Sequence, residues 1–255
     1  MILHLPPEPA HARAALRTEV VRAVPGKPFL AAVEITTDPH WHVYWRNPGD
    51  SGVPTRIAWS APKGWRVEPL EFPTPQRFEP GGITSYGYEG KTHFLAKVTP
   101  SKTPGTLSAN VKWLVCSDAC IQGGATVKAM VVLGPQASPS KAAAALRKAQ
   151  AALPQPKKAW TVRATSGKQV VLTVTPNPRQ IVTKGWRQPE FFPLESGVID
   201  QAKPLLATLQ GNGFVFRMNA SPFPEKRTRL AGLIVLREGN HRRAVFVNPK
   251  LEPGE

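Results

Sequence analysis

The sequence has few cysteines for disulfide crosslinks and no long apolar segment. Its 255 residues include only two cysteines, so a single intrachain disulfide is the most that it can form. No stretch approaches the roughly 18 consecutive apolar residues of a membrane-spanning helix. The first sixteen residues also lack a charged segment followed by an apolar one, so they do not match a signal peptide.

Acidic residues are scarce as well, and the balance of charge is strongly basic. Seventeen Asp and Glu face 33 Lys and Arg, which gives a formal net charge of +16. The cations are spread along the chain, with only short clusters and no basic run interleaved with aromatic residues. A nucleic-acid-binding surface is normally focused, so we expect no nucleic-acid partner and an ordinary basic, solvated surface.

Proline and glycine are abundant, with 28 and 20 residues, and they divide the chain into short segments. Proline is poorly tolerated inside helices and central strands, and the segments between turn signals are about 8–12 residues apart, so the sequence predicts an all-β fold of sandwich type. The alanine-rich stretch from residue 138 predicts one helix, which either joins two domains or packs on the first. We predict a first β domain over residues 11–136, a helical linker over 137–156 and a second β-sandwich over 157–251.

The segment "WLVCSDACIQG" holds both cysteines, Cys116 and Cys120. The flanking residues alternate as strands do, so the cysteines are predicted to face each other across a three-residue hairpin loop, within reach of a disulfide. A crosslink stabilises mainly by closing a long loop, and here the loop is very short. An exposed short-loop bridge is the kind that exchanges. Redox exchange is therefore favoured, while a structural disulfide and free or metal-bound thiols stay open as alternatives.

Three segments together resemble a known family. "HWHVYWRNPGDSGVPTRIAWSAPKGW", "SYGYEGKTHFLAKVTP" and "VKWLVCSDACIQGGATV" are similar to the N-terminal periplasmic domain of DsbD-type protein-disulfide reductases, in particular to the ScsB-like branch. The resemblance is specific over roughly residues 11–135 and looser in the second domain. It implies that both domains are immunoglobulin-like sandwiches, with the cysteine pair on adjacent antiparallel strands.

The resemblance also implies an activity and its partners. Such a domain takes electrons from a membrane-embedded reductase domain and passes them to periplasmic thioredoxin-like proteins by thiol–disulfide exchange. Cys120 matches the cysteine that bonds to the client, and Cys116 matches its resolving partner. The implied location is the periplasm, no cofactor or metal is expected beyond the Cys116–Cys120 disulfide, and we expect a monomer. The membrane segments of the family are absent, so the donor would be supplied by a further part of the protein or by a separate partner.

A cap loop shields the cysteines in the better-known branch of the family. Here "SYGYEGK" matches it, so the resemblance assigns the shield to Tyr86, Gly87, Tyr88 and Glu89, with either tyrosine over the sulfurs. Glu89 and Asp118 are acidic. Negative charge beside a thiol raises its pKa and lowers its thiolate fraction, so both are predicted to tune the pair.

His42 and Tyr44 match two tyrosines that lie near the cysteines in the same branch. The histidine departs from the family pattern, and its side chain titrates near neutral pH. We therefore predict that both residues neighbour the cysteines and that His42 influences their chemistry.

Two other classes of function compete with disulfide reduction. The two sandwiches would form a protein- or glycan-binding module if the disulfide were inert. A copper-handling module would use Cys116 and Cys120 with one of His40, His42 or His93, although these histidines show no recognised metal-ligand spacing.

Overall fold

The fold is almost entirely β. The structure is a computed structural model, and it describes residues 10–156, 160–175, 186–211, 213–223, 225–238 and 241–254. Its strands up to the helix are β1 Ala12–Thr18, β2 Val20–Ala23, β3 Phe29–Thr37, β4 His42–Gly49, β5 Arg56–Ser60, β6 Arg66–Pro69, β7 Gln76–Phe78, β8 Ser85–Glu89, β9 Lys91–Thr99, β10 Gly105–Cys116, β11 Cys120–Leu133 and β12 Ser138–Pro139. The remaining elements are the helix α1 Ala143–Ala151 and the strands β13 Gln155–Pro156, β14 Thr161–Ser166, β15 Gln169–Thr175, β16 Trp186–Pro193, β17 Ala207–Gln210, β18 Gly213–Asn219, β19 Gly232–Glu238, β20 His241–Val247 and β21 Leu251–Pro253. The predicted all-β, immunoglobulin-like class is confirmed.

The chain divides into two compact units. The first contains residues 10–45, 53–70 and 87–148. One of its sheets has the order β1-β3-β9-β6, and the other contains β12-β2-β11-β10-β4-β8, with β5 paired to β10. The first five residues of β3, 29–33, are all buried, and Val33, Ile35 and Val98 are fully buried. Burial of such side chains contributes about 1.5–3 kcal/mol each, which holds the two sheets together.

The longest hairpin of the first unit joins β10 and β11. Its twelve antiparallel pairs run from Gly105↔Val131 to Cys116↔Cys120. On β10, Leu107, Ala109 and Val111 are fully buried, whereas their sequence neighbours are half-buried or exposed. This period-two alternation buries one face of the hairpin and leaves the other face toward solvent.

The second edge of β10 is shared by two strands. β4 pairs with it at Val115 and Cys116, and β5 pairs with it from Ser108 to Lys112. Among the described strand pairs, neither β4 nor β5 pairs with Trp113 or Leu114 of β10. A break in the sheet therefore lies next to the cysteine end of the hairpin.

The predicted helix is present as α1. The backbone N–H of Ala142 donates to Ser140 Oγ at 3.0 Å, so Ser140 caps the helix start. Leu146 is fully buried, and Arg147 Nε donates to Glu19 Oε1 at 2.7 Å. The first turns of the helix therefore pack on the first unit, which was the alternative to a free connector.

The second unit contains residues 46–52 and 71–86 in addition to the described residues from 149 onward. Its sheets have the orders β13-β20-β19-β16 and β17-β18-β15-β14-β21, around a core that includes Leu172, Phe216 and Ile234. Asn47 Nδ2 donates to Pro193 O at 2.8 Å, and Arg77 donates to Gln201 O at 2.9 Å. These bonds explain why two segments from the first half of the sequence belong to this unit. The domain boundaries at 11–136, 137–156 and 157–251 stay a prediction.

Candidate functional site

The two cysteines form a disulfide at the tip of the β10–β11 hairpin. Cys116 and Cys120 are direct cross-strand partners, with Cα atoms 4.2 Å apart. Between them, the Ser117 N–H donates to Ala119 O at 3.0 Å, which closes the three-residue turn. The predicted hairpin with opposed cysteines is therefore present.

The two sulfur-bearing residues differ in their access to solvent. Cys116 is 1% exposed, whereas Cys120 is exposed to solvent. Thiol–disulfide exchange needs in-line approach to a sulfur, so a protein partner reaches Cys120 far more readily than Cys116.

His42 lies beside Cys116 in the neighbouring strand. It is the direct antiparallel partner of Cys116, so the two side chains project from the same face of the sheet, with Cβ atoms about 4.5–5.5 Å apart. His42 is 3% exposed, and its ring lies edge-on to the Tyr44 ring with centroids 5.1 Å apart. The pairing of β4 with β10 joins residues more than 70 positions apart, and residue patterns alone gave no sign of it.

Burial lowers the pKa of His42 from its ordinary value of 6.5, and the nearby Glu89 carboxylate opposes this only in part. The unfolded chain therefore binds a proton at a higher pH than the folded protein does. The contribution of His42 to the free energy of unfolding is therefore fully present above about pH 6.5. It decreases as the pH drops below that value, because the unfolded chain gains the proton more readily than the folded protein does. We expect the free energy of unfolding, measured by denaturant titration, to fall more steeply below pH 6.5 in the natural protein than in His42→Phe. Equal slopes would contradict a buried neutral histidine.

The segment predicted to be a cap loop forms strand β8. Tyr88 is 4% exposed and packs edge-on against Phe94, with ring centroids 5.3 Å apart. Tyr86 is 1% exposed and packs against Phe192 in the second unit, where burial raises its pKa despite a hydrogen bond with Arg77. The two tyrosines thus belong to different cores, and only Tyr88 lies in the unit that carries the cysteines. Shielding of the sulfurs by this segment stays a prediction.

Gly87 lets β8 approach β4 closely. A Cβ at this position would lie 2.2 Å from Val43 O, next to the strand end that carries His42. We expect Gly87→Ala to lower the free energy of unfolding by about 3 kcal/mol, the upper end of overpacking costs. Gly90→Ala in the adjacent turn is the control, because nothing lies within 4 Å of its Cβ and only its positive φ of 73° is strained, at about 1 kcal/mol. Equal losses in chemical denaturation would exclude the close approach as the cause.

The two acidic residues of the predicted site are both on the surface. Asp118 is exposed in the hairpin turn, directly between the cysteines. Glu89 is exposed at the end of β8, where its Oε1 accepts a hydrogen bond from the His40 backbone N–H at 2.8 Å. The Glu89 carboxylate acts electrostatically on His42, which pairs with Cys116, whereas an effect of Asp118 on the cysteines stays a prediction.

Within the described residues, no group of three or more His, Cys, Asp and Glu side chains is arranged to hold a metal ion. His93, one of the three candidate copper ligands, instead contacts Glu34 Oε2 at 3.1 Å. None of the described helices is long and apolar enough to cross a membrane.

Among solved structures, the chain is similar to the N-terminal periplasmic domain of ScsB from Proteus mirabilis. The TM-score is 0.70 at 18% sequence identity, and the alignment covers 98% of this chain and 97% of that one. This likeness shows a shared fold. The titin domains Z1Z2 in complex with telethonin are far less similar, with a TM-score of 0.21 at 9% identity over 96% of this chain and 98% of that one. No curated protein matches the chain in sequence.

The sequence of the first half of the chain also matches a family model. The model is that of the N-terminal domain of the thiol:disulfide interchange protein DsbD, and the match covers residues 12–131, which include both cysteines, His42 and strand β8. Residues 12–131 of this chain therefore belong to the family of DsbD-type N-terminal domains, which take part in thiol:disulfide interchange.

Proposed function

We propose that this protein reduces the disulfides of thioredoxin-like clients through the Cys116–Cys120 pair. The observation that carries the proposal is the asymmetric hairpin: two directly opposed cysteines, of which Cys120 is exposed and Cys116 is 1% exposed. An exposed attacking sulfur and a sheltered second sulfur within bonding distance are what a two-step exchange requires.

The reaction uses only the two thiols of the reduced protein and the disulfide of the client. The Cys120 thiolate attacks one client sulfur, which breaks the client disulfide, releases one client thiolate and forms a mixed disulfide. The Cys116 thiolate then attacks Cys120 Sγ, which breaks the mixed disulfide and restores the Cys116–Cys120 bridge. The client gains two electrons and two protons and leaves as a dithiol, and the protein loses the same number.

His42 is suited to the second step. A thiol removed from water ionises with difficulty, so Cys116 needs a group that takes its proton. Burial keeps the neighbouring imidazole neutral at neutral pH, and neutral imidazole accepts a proton. The proton passes from Cys116 to His42 and then to the departing client thiolate. Tyr44, packed against the His42 ring, holds the imidazole in place.

A purely structural role for the bridge is disfavoured by its small loop. Closing a loop of about five residues in the unfolded chain is worth about 2 kcal/mol, less than a long-range crosslink provides. The twelve-pair ladder of β10 and β11 already holds the strand ends together. The hairpin therefore persists when the bridge opens, which allows repeated cycling.

The remaining parts of the proposal come from the family to which residues 12–131 belong. A membrane-embedded reductase domain is the proposed electron donor, thioredoxin-like proteins are the proposed acceptors and the periplasm is the proposed location. Asp118 and Glu89 are proposed to limit reaction with other oxidants, because negative charge beside a thiol reduces its thiolate fraction. Shielding of the sulfurs by the β8 segment would also limit their reaction with other oxidants.

The proposal is tested by mixing the reduced protein with an oxidised thioredoxin-like protein and labelling free thiols over time. We expect client thiols to appear as protein thiols disappear, in equal numbers, and no transfer from Cys116→Ser/Cys120→Ser. If the double variant retained any client affinity and the natural protein transferred no electrons, a binding module would be the better account. Titration of Cu(I) into the reduced protein tests copper handling separately, and tight binding lost in the double variant would favour that function.

A further inference from the structure

A groove runs along the outer face of the β10–β11 hairpin, beginning next to the disulfide. It has a volume of about 550 Å³ and is lined by Val53, Pro54, Arg56, Lys112, Trp113, Leu114, Gln122, Gly123 and Gly124. It lies at the break between β4 and β5, where neither strand pairs with Trp113 and Leu114. All of these residues belong to the first unit.

The register of the hairpin gives the distance between the groove and the disulfide sulfurs. The cross-strand pairs Leu114↔Gln122 and Lys112↔Gly124 follow Cys116↔Cys120 on the same face. Same-face residues of a strand are about 6.8 Å apart, so Gly124 lies about 14 Å from Cys120. A glycine at this position adds no side chain to the floor, and a polypeptide bonded to Cys120 would pass over it.

The far end of the groove is positively charged. Arg56 on β5 is the direct partner of Lys112, and both side chains are exposed. No described carboxylate lies within ion-pair distance of either residue. Two adjacent cations beside an apolar trough are complementary to an extended segment with one acidic side chain.

We propose that this groove binds the client segment that flanks the bonded cysteine, and that Arg56 and Lys112 select an acidic residue about four positions from that cysteine. The spacing follows from the 14 Å distance, which an extended chain covers in about four residues. The inference rests on the proposed function, since it places the client sulfur on Cys120. It adds the chemistry by which one client segment is preferred to another.

Synthetic peptides test the selection directly. Each peptide carries one cysteine as a mixed disulfide with thionitrobenzoate, and either glutamate or glutamine four residues away on both sides. Reduced Cys120 attacks the peptide sulfur because thionitrobenzoate is the better leaving group, and its release is followed by absorbance. At low ionic strength we expect the glutamate peptide to react about five- to tenfold faster, with a smaller ratio at high salt.

Charge reversal at the two cations provides the matched variants. In Arg56→Glu/Lys112→Glu, the glutamate peptide should react more slowly than the glutamine peptide. The control Lys128→Glu/Lys141→Glu changes the net charge equally at exposed positions outside the groove, and it should keep the original preference. The neutral variant Arg56→Gln/Lys112→Gln should show no preference, which covers the case in which the double reversal does not fold.

The outcomes separate this inference from the proposed function. If the natural protein releases thionitrobenzoate but treats both peptides alike, or if the control loses the preference as fully as the groove variant, the groove does not select. If the natural protein reacts with neither peptide while a small dithiol still opens its bridge, the exchange with clients itself is refuted.

Discussion

Cys116→Ser should capture a thioredoxin-like client as a stable mixed disulfide on Cys120. The exposed Cys120 thiolate still attacks the client disulfide, but the protein has no second sulfur with which to release the client as a dithiol. The thiol freed on the client can reverse the attack, so free thiols are blocked by alkylation at each time point. We then expect abundant adduct in non-reducing electrophoresis and mass spectrometry. The natural protein should show at most about a tenth of that amount, because closing the Cys116–Cys120 bridge is intramolecular and therefore fast.

Cys120→Ser is the matched control for this result. Its remaining thiol, Cys116, is 1% exposed, so the client disulfide cannot approach it in line. We expect little or no adduct with this variant. Equal trapping by both single variants, or trapping only by Cys120→Ser, would show that the assignment of attacking and resolving roles is wrong.

Removing the imidazole next to Cys116 should slow the release of the client. His42→Phe keeps a ring against Tyr44 but cannot accept a proton, and general-base assistance is typically worth about 100-fold or more. The first step, attack by Cys120, should be almost unchanged. Rapid-quench experiments at pH 7 should therefore show the mixed disulfide accumulating before the bridge closes, and the defect should shrink at high pH, where hydroxide removes the proton of Cys116.

His93→Gln is a control for the loss of a histidine elsewhere in the same unit. His93 lies on β9 and contacts Glu34, and β9 belongs to the other sheet. Its replacement should leave both steps unchanged. A slow second step in this variant, or a pH-independent defect in His42→Phe, would point to general disturbance of the fold rather than proton transfer.

Local sequence patterns were sufficient to predict the class of fold and the cysteine hairpin. Alternation of apolar and polar residues on both sides of Cys116 and Cys120 fixes two strands, and three intervening residues fix a tight turn. The family resemblance placed His42 and Tyr44 near the sulfurs, and the register of β4 with β10 now gives a specific partner, Cys116.

Features that depend on distant pairing were not predictable from the sequence. The groove exists because β4 and β5 share one edge of β10 and leave a break between them, and no local pattern encodes that arrangement. Asn47 and Arg77 bond to residues more than 120 positions away, so their segments join the second unit without any signal in their own composition. Tyr86 and Tyr88, two residues apart on one strand, enter different cores for the same reason.

The most direct test of a cycling bridge is its reduction potential, measured together with the integrity of the fold. The protein is equilibrated in dithiol buffers of graded potential, thiols are counted by labelling, and hydrogen exchange is recorded for both redox states. We predict reversible two-electron reduction with a midpoint above about −300 mV, with strands β10 and β11 protected in both states. A bridge that opens only when the hairpin unfolds, or that no biological dithiol reduces, would contradict the account.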